Sequence, residues 1–313
     1  MTGSPASRSP AGVPTVSVIV PFLDPPPGFF REALSGVHAQ TWTDWELILV
    51  DDGSGPAARR LADLAASDSS RTRVVESGSE RPVGISGARN AGLRQARGEL
   101  VAMLDSDDVW LPGHLERHVA ALEDEPRAAM VYTDALYWQS WRDGSSPDDD
   151  FVPLSDAPAG LFSPPGFAVE LIAGRVPVPC PVSVTARRSV VEAIGGFEAS
   201  WATERSINSM YEDQVFYVKL GSRHPVLRLP VVLERYRLHD DSVTGAASED
   251  VARESRRQFL DWCEDSCAAA LEPGPARRLR RTVRNARWRH RHPRLAAGWR
   301  RGRKLISRGR RAR

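Results

Sequence analysis

The feature that most restricts this chain's fold is an alternation through its first 136 residues, in which short apolar runs are separated by segments of helical spacing. TVSVIVPF (15–22), WELILV (45–50), TRVVES (72–77), ELVAMLD (99–105) and AAMVYTDAL (128–136) read as strands, being short and mostly rich in residues suited to a pleated surface. FFREALSGVHAQ (29–40), AARRLADLAA (57–66), ISGARNAGLRQA (85–96) and LPGHLERHVAALED (111–124) read as helices, the last with Pro112 near its first turn. The first two strands stop at LDPPPG and DDGSGP, which neither a strand nor a helix can traverse. Strand alternating with helix implies an α/β fold with a mostly parallel central sheet flanked by helices.

After residue 140 the pattern breaks. WRDGSSPDDDFVPLSDAPAG (141–160) is a long acidic loop, and 161–240 mixes short helices and strands. The prolines of VPVPCPVS (176–183) predict an extended edge segment, with Cys180 as packing. EDVARESRRQFLDWCEDSCAAALE (249–272) predicts a long helix that PGP (273–275) breaks. Residues 1–14, rich in Ser, Pro and Gly, predict disorder.

Net charge conceals an asymmetry. Residues 277–313 hold 17 Lys or Arg and no Asp or Glu, so the formal charge of +2 leaves about −15 on the first 276 residues. Three cysteines form no disulfide framework and complete no zinc site, which predicts reduced thiols and a cytoplasmic protein. The N-terminus lacks the apolar core of a signal peptide, and no run of 18 apolar residues occurs.

In parallel α/β sheets, ligands sit outside the carboxyl ends of the strands. Three acidic groups fall at such ends: Asp24 after the first strand, Asp51 and Asp52 after the second, and Asp105, Asp107 and Asp108 after the fourth. Each alone reads as turn punctuation; together they would surround one crevice. Asp107 and Asp108 are hard oxygen donors suited to Mg²⁺ or Mn²⁺. Such an ion would relieve the carboxylate repulsion and neutralise a diphosphate leaving group. A dinucleotide-dependent oxidoreductase fits poorly, because GISGARNAG lacks the G-x-G-x-x-G spacing and does not follow the first strand.

VSVIVPFLD, QTWTDWELILVDDGSG, GISGARNAGLRQARGELVAMLDSDDVWLP, GGFE, YEDQVFYVKL and YRLHDDSVT occur in the order seen in family 2 glycosyltransferases. On these motifs, between Thr15 and Thr244, the chain resembles that family, whose members have the GT-A fold and use nucleotide-sugar donors. The resemblance implies a GT-A domain at 15–245, a C-terminal helix at 246–275 and a basic tail at 276–313. It implies an inverting transfer of sugar from a nucleoside-diphosphate-sugar to an acceptor hydroxyl, dependent on Mg²⁺ or Mn²⁺. Pro21, Asp24, Asp52, Arg89, Asp105 and Asp107 would lie on the donor side, with Asp52 accepting from a pyrimidine base. Asp108 would hold the metal, and His239 sits where some relatives reach the metal or diphosphate; a structural histidine is the other reading. Asp213 matches the catalytic base, with Glu212 and Trp110 on the acceptor side. A first-turn acid and a packed aromatic remain the alternatives for Asp213 and Trp110. Two positions depart from the pattern: Leu23-Asp24 and three prolines replace a Tyr-Asn pair, and Val83 stands where an Asn is usual.

The arginine-rich tail interleaves Trp288, Trp299, Leu305 and Ile306. Anionic lipid and nucleic acid both attract such segments. Glycosylation of an envelope or lipid-linked acceptor favours peripheral docking at the inner face of the cell membrane over nucleic acid. The competing function is a non-catalytic scaffold that binds anionic membrane or nucleic acid through this tail.

Overall fold

The computed structural model describes residues 13–78, 82–142, 145–153, 157–199, 201, 210–239 and 248–292. Its strands are β1 (Val16–Phe22), β2 (Trp45–Asp51), β3 (Thr72–Glu76), β4 (Leu100–Met103), β5 (Val109–Trp110), β6 (Met130–Trp138), β7 (Gly160–Phe162), β8 (Val184–Arg187) and β9 (Val226–Arg237). Its α-helices are α1 (Pro27–His38), α2 (Pro56–Ser67), α3 (Gly84–Gln95), α4 (His114–Asp124), α5 (Gly166–Ile172), α6 (Arg188–Ala193), α7 (Glu212–Gly221), α8 (Glu249–Trp262) and α9 (Pro273–Arg291). The strands form one mixed sheet in the order β3-β2-β1-β4-β8-β6-β9-β5, with β7 added against β9. Pairings β1–β2, β2–β3, β1–β4 and β6–β9 are parallel; β8, β5 and β7 run against their neighbours.

Both faces of β1 and β2 are buried, which is why they read as continuous apolar runs. Ile19, Ile48 and Val50 face one core layer with α3, α5, α7, α8 and α9, while Val18, Val20, Leu47 and Leu49 face a second with α1, α2 and α4. In α1 the buried Phe30, Ala33, Leu34 and Val37 recur at helical spacing behind Pro27 in the first turn. A Cβ on Gly92 would come within 2.4 Å of Ile19 Cγ2, so only glycine lets α3 lie this close to β1.

The strand order reverses between β1 and β4, opening a crevice at their carboxyl ends. The Ile19 carbonyl accepts the Leu104 N–H (3.1 Å) on the β4 side, and the Phe22 carbonyl accepts the Asp52 N–H (3.0 Å) on the β2 side. Alternation turns Pro21 toward β4, beyond the last ladder pair at Ile19 and Met103. A residue without an N–H thus stands where the ladder has ended, at the mouth of the crevice.

Two expectations change. The segment 176–183 is not a sheet edge: it ends in a 3₁₀ turn at Pro181–Ser183 and feeds β8, which lies inside the sheet between β4 and β6. Its prolines precede the ladder, and the paired residues Val184 to Arg187 contain none. PGP does more than end a helix. α8 passes through a π turn (Cys263–Cys267) and a 3₁₀ turn (Ala268–Ala270), and Pro273 then opens α9. The basic segment therefore begins as a helix docked through Ala276, Leu279, Val283 and Ala286. Residues 1–12 of the expected N-terminal segment, 240–247 of the YRLHDDSVT region and 293–313 of the tail lie outside the described residues.

Candidate functional site

The acidic turn leaves β4 at Leu104 and returns as β5, whose Val109 and Trp110 pair with Arg235 and Glu234 of β9. The Asp108 N–H closes the turn on the Asp105 carbonyl (3.2 Å). Arg237 at the end of β9 holds it from the other side. Its N–H donates to Asp108 Oδ1 (2.8 Å) and its Nε to the Asp107 carbonyl (2.7 Å). Its guanidinium also pairs with Glu32 and lies 4.1 Å from the ring centre of Phe29 and 4.3 Å from that of Trp138. A cation close to aromatic rings is attracted by their faces.

The three carboxylates have separate surroundings. Asp108 is 1% exposed, and its Oδ2 has no hydrogen-bond partner among the described residues. Burial, and then the charges of Asp107 and Asp105, push its carboxyl well above the usual range. Asp107 is partly exposed and its Oδ2 meets His239 Nε2 at 2.8 Å. Asp105 Oδ1 accepts from Arg89 Nη2 at 2.7 Å.

Arg89, expected beside a donor base or phosphate, is instead 1% exposed. It lies on the buried face of α3 and pairs with both Asp105 and Glu212, the latter expected on the acceptor side. Burial works against the Arg89 charge, but Glu212 and Asp105 more than offset it and raise its pKa. Burial pushes the Glu212 carboxyl up, and Arg89 counteracts that rise. The adjacent Asn90 locks the GGFE segment to α3: Asn90 Nδ2 donates to the Phe197 carbonyl (2.8 Å), and Asn90 Oδ1 accepts the Phe197 N–H (2.8 Å).

Asp213 follows Glu212 in the first turn of α7, and its Oδ1 accepts the Gln214 N–H at 2.7 Å. Burial, followed by the Glu212 charge, pushes its carboxyl up to about 8. A carboxyl poised near neutrality can take and release a proton at physiological pH. Its neighbour Glu212 pairs with Arg89, which also pairs with Asp105, so Asp213 stands next to a charge network that reaches the acidic turn.

Asp24 and Asp52 tie loops together. Asp24, in the left-handed region at φ 46°, accepts the Gly55 N–H on Oδ1 (2.8 Å), and its own N–H donates to Ser54 Oγ (3.2 Å). Asp52 accepts the Val83 N–H on Oδ1 (2.9 Å) and the Gly84 N–H on Oδ2 (3.0 Å), fixing the start of α3. The backbone there has φ +78°, a conformation that glycine at position 84 adopts without strain. Each carboxylate oxygen of Asp52 retains acceptor capacity beyond these bonds.

Trp110, expected on the acceptor side, is 2% exposed. Its Nε1 donates to the Val182 carbonyl (2.7 Å) and its ring stacks on His114 at 4.3 Å. It forms part of the wall behind the acidic turn, over a sealed cluster in which His114 meets Glu234 (3.1 Å) and His118 meets Thr185 (2.8 Å) and Thr133 (3.3 Å). Pro21 is buried at the crevice mouth.

The bulk of this constellation comes from positions singled out in sequence; Arg237 and Asn90 do not. Each lay within a quoted motif, YRLHDDSVT and GISGARNAG, but nothing local shows that their partners stand across the fold. Among the described residues, no group of three or more His, Cys, Asp or Glu is arranged to hold a metal ion. The buried, unpartnered Asp108 Oδ2 with Asp107 beside it nevertheless fits a cation that takes two protein carboxylates and completes its shell from water and phosphate.

Residues 17–159 match the family model described as glycosyl transferase family 2. Among curated relatives, the chain is 42% identical over 103 residues to "Succinoglycan biosynthesis protein ExoW" of Rhizobium meliloti (strain 1021), 32% of this chain and 31% of that one. It is 38% identical over 90 residues to "UDP-Glc:alpha-D-GlcNAc-diphosphoundecaprenol beta-1,3-glucosyltransferase WfgD" of Escherichia coli, 29% of this chain and 34% of that one. These alignments cover about a third of each relative. Among solved structures, S. aureus TarS 1-349 in complex with UDP aligns with 88% of this chain and 71% of its own at a TM-score of 0.60 and 18% identity. The same TarS fragment with UDP-GlcNAc gives 0.59 over 84% of this chain and 69% of its own at 19% identity. The fold is thus of the GT-A type, with its C-terminal helices packed on the sheet domain. The match to glycosyl transferase family 2 thus falls on residues 17–159, which carry β1 to β6 and the acidic turn.

Proposed function

We propose that this protein is an inverting glycosyltransferase that moves a sugar from a nucleoside-diphosphate-sugar to an acceptor hydroxyl. The observation that carries the reading is Asp213, a carboxyl raised to about 8 that directly follows Glu212, which Arg89 ties to Asp105 of the acidic turn at the switch-point crevice. An acceptor hydroxyl is a poor nucleophile until its proton has somewhere to go, and the Asp213 carboxylate takes that proton. The hydroxyl oxygen bonds to the anomeric carbon as the bond to the diphosphate oxygen breaks, its electron pair leaving with the nucleoside diphosphate. One displacement from the opposite face inverts the anomeric centre.

Asp108 and Asp107, with His239 beside them, are the residues that would hold Mg²⁺ or Mn²⁺; when bound, such an ion neutralises the departing diphosphate. Arg237 keeps both aspartates in place and shares their field. Asp52 and the start of α3 would bound the nucleoside. The UDP and UDP-GlcNAc complexes of TarS support the donor class, and the names of ExoW and WfgD support polysaccharide or lipid-linked acceptors. We infer work at the inner face of a cell membrane, where a lipid-linked acceptor would be met.

The test is transfer itself: purified protein, a panel of nucleotide-sugars, Mn²⁺ or Mg²⁺, and extracted lipid-linked or oligosaccharide acceptors. Product should carry the inverted anomer and be lost in Asp213→Asn while the variant stays folded. A folded, active Asp213→Asn protein would remove the assigned base. Transfer that retains configuration would remove the single displacement.

A further inference from the structure

The helix α9 carries a second chemistry, separate from the crevice. Its nineteen residues include eight arginines and no acid. Ala276, Leu279, Val283 and Ala286 dock it to the body, and Arg287 takes up Asp261 and Glu264. At 3.6 residues per turn, Arg277, Arg280, Arg281, Arg284, Trp288 and Arg291 fall within one sector of roughly 100°, turned away from the docked stripe. All six are exposed, Trp288 at 44%, a large amount for an indole on a folded surface. The helix spans roughly 28 Å at 1.5 Å per residue, so this sector is a straight, rigid stripe.

We propose that this stripe is a docking face for a membrane surface rich in anionic lipid. The arginines supply attraction to headgroup phosphates, and the exposed indole decides the partner class, because tryptophan partitions to the headgroup level of a bilayer. The docked stripe makes the face part of the folded body, so binding sets the orientation of the whole molecule. The remainder of the chain reinforces that orientation. With about −15 on residues 1–276, the rest of the chain as a whole is repelled by a negative plane that attracts α9. The further nine basic residues of 293–313 add charge of the same sign. The inference rests on α9 and the charge balance of the chain, and stands whether or not the crevice transfers sugar.

The test uses the full chain, without any nucleotide-sugar, in flotation with vesicles of neutral phosphatidylcholine and with vesicles containing phosphatidylglycerol. Binding should need the anionic lipid and weaken as salt rises. The triple variant Arg280→Gln, Arg281→Gln, Arg284→Gln, with residues 293–313 intact and an unchanged thermal midpoint, should bind about a hundredfold more weakly, at about one decade or less per arginine. Trp288→Ser should weaken vesicle binding and leave binding to an RNA oligonucleotide unchanged. Equal binding to neutral vesicles, full binding by the triple variant, or preference for the oligonucleotide at the same salt would each overturn the assignment.

Discussion

Arg89 and Glu212 stand 123 positions apart in sequence yet form one buried ion pair, and Asp105 takes a second nitrogen of the same guanidinium. One side chain therefore joins the end of β4 to the start of α7, the two places from which the site is built. A buried pair of this kind adds little net stability over apolar packing, but it is costly to break from one side. Its value here is positional: the first turn of α7, which carries both Glu212 and Asp213, is tied to α3 and the end of β4.

Arg89→Met is expected to cost about 3–5 kcal/mol, because it leaves two carboxylates without their cation. Denaturant unfolding checks this. Arg89→Lys should recover only part of the loss, since an ammonium cannot reproduce the planar fork that reaches both acids.

The pH dependence follows from Asp213. Its folded carboxyl lies near 8, above its ordinary value of 3.8, and the base must be ionised to work. The rate at low substrate should therefore rise with pH and level off above about 8. The stability sign is opposite to the usual carboxylate case. Between about 4 and 8 the native state binds the proton that the unfolded chain has lost, so ionisation of Asp213 destabilises the fold as pH rises. Asp213→Asn should gain stability relative to the parent across that window and lose about 10²-fold or more in rate. Paired melts from pH 5 to 9 would show it.

Asp108→Asn separates ligand binding from folding. The variant keeps an acceptor for the Arg237 N–H and removes a buried charge crowded by two others. Its thermal midpoint should be unchanged or higher, whereas the stabilisation given to the parent by Mn²⁺ with a nucleoside diphosphate should disappear. A variant that still responds to Mn²⁺ would place the cation elsewhere.

Arg237→Lys loses the Nε bond to the Asp107 carbonyl and the guanidinium contacts with the rings of Phe29 and Trp138. Charge-assisted bonds of this type contribute about 1.5–3 kcal/mol. If Arg237 acts by holding the acidic turn, the loss should appear mainly as a tenfold or greater rise in donor KM, with kcat less affected. Steady-state kinetics on a folded variant would decide it.

His118, with its buried neighbour His114, should contribute to acid sensitivity. Burial lowers its pKa to about 3 from 6.5, so the native state refuses a proton that the unfolded chain accepts. Its contribution to stability is present above about 6.5 and is lost as pH falls toward 3. His118→Gln should flatten the acid limb of the stability profile in that interval, read by urea midpoints.

Much of the N-terminal half was legible, because β1 to β4 and β6 are written locally as apolar runs between breakers and the acids cluster where those runs end. Other features depend on distant partners. β5 has only two residues, and its pairing with β9 cannot be seen in Val109 and Trp110 themselves. The prolines before β8 suggested an edge because the two strands that enclose it lie far away in sequence. Arg89 was expected on the donor side, because its buried partner Glu212 lies 123 positions away. The arginine density of α9 masked its four apolar contacts, which are small and spaced among charges.

The register of β9 has a hereditary consequence. One strand meets Tyr132 through Arg228, Trp110 through Glu234 and the acidic turn through Arg237, so it works as a measuring rod laid across the molecule. The strand already absorbs two register shifts against β6, between Leu229 and Val232 and between Val232 and Arg235. Beyond them, losing one residue from Arg235–Arg237 would displace the end of the strand by about 3.3 Å and turn its side chains to opposite faces. In that last stretch substitution is open to selection but a change of count is not.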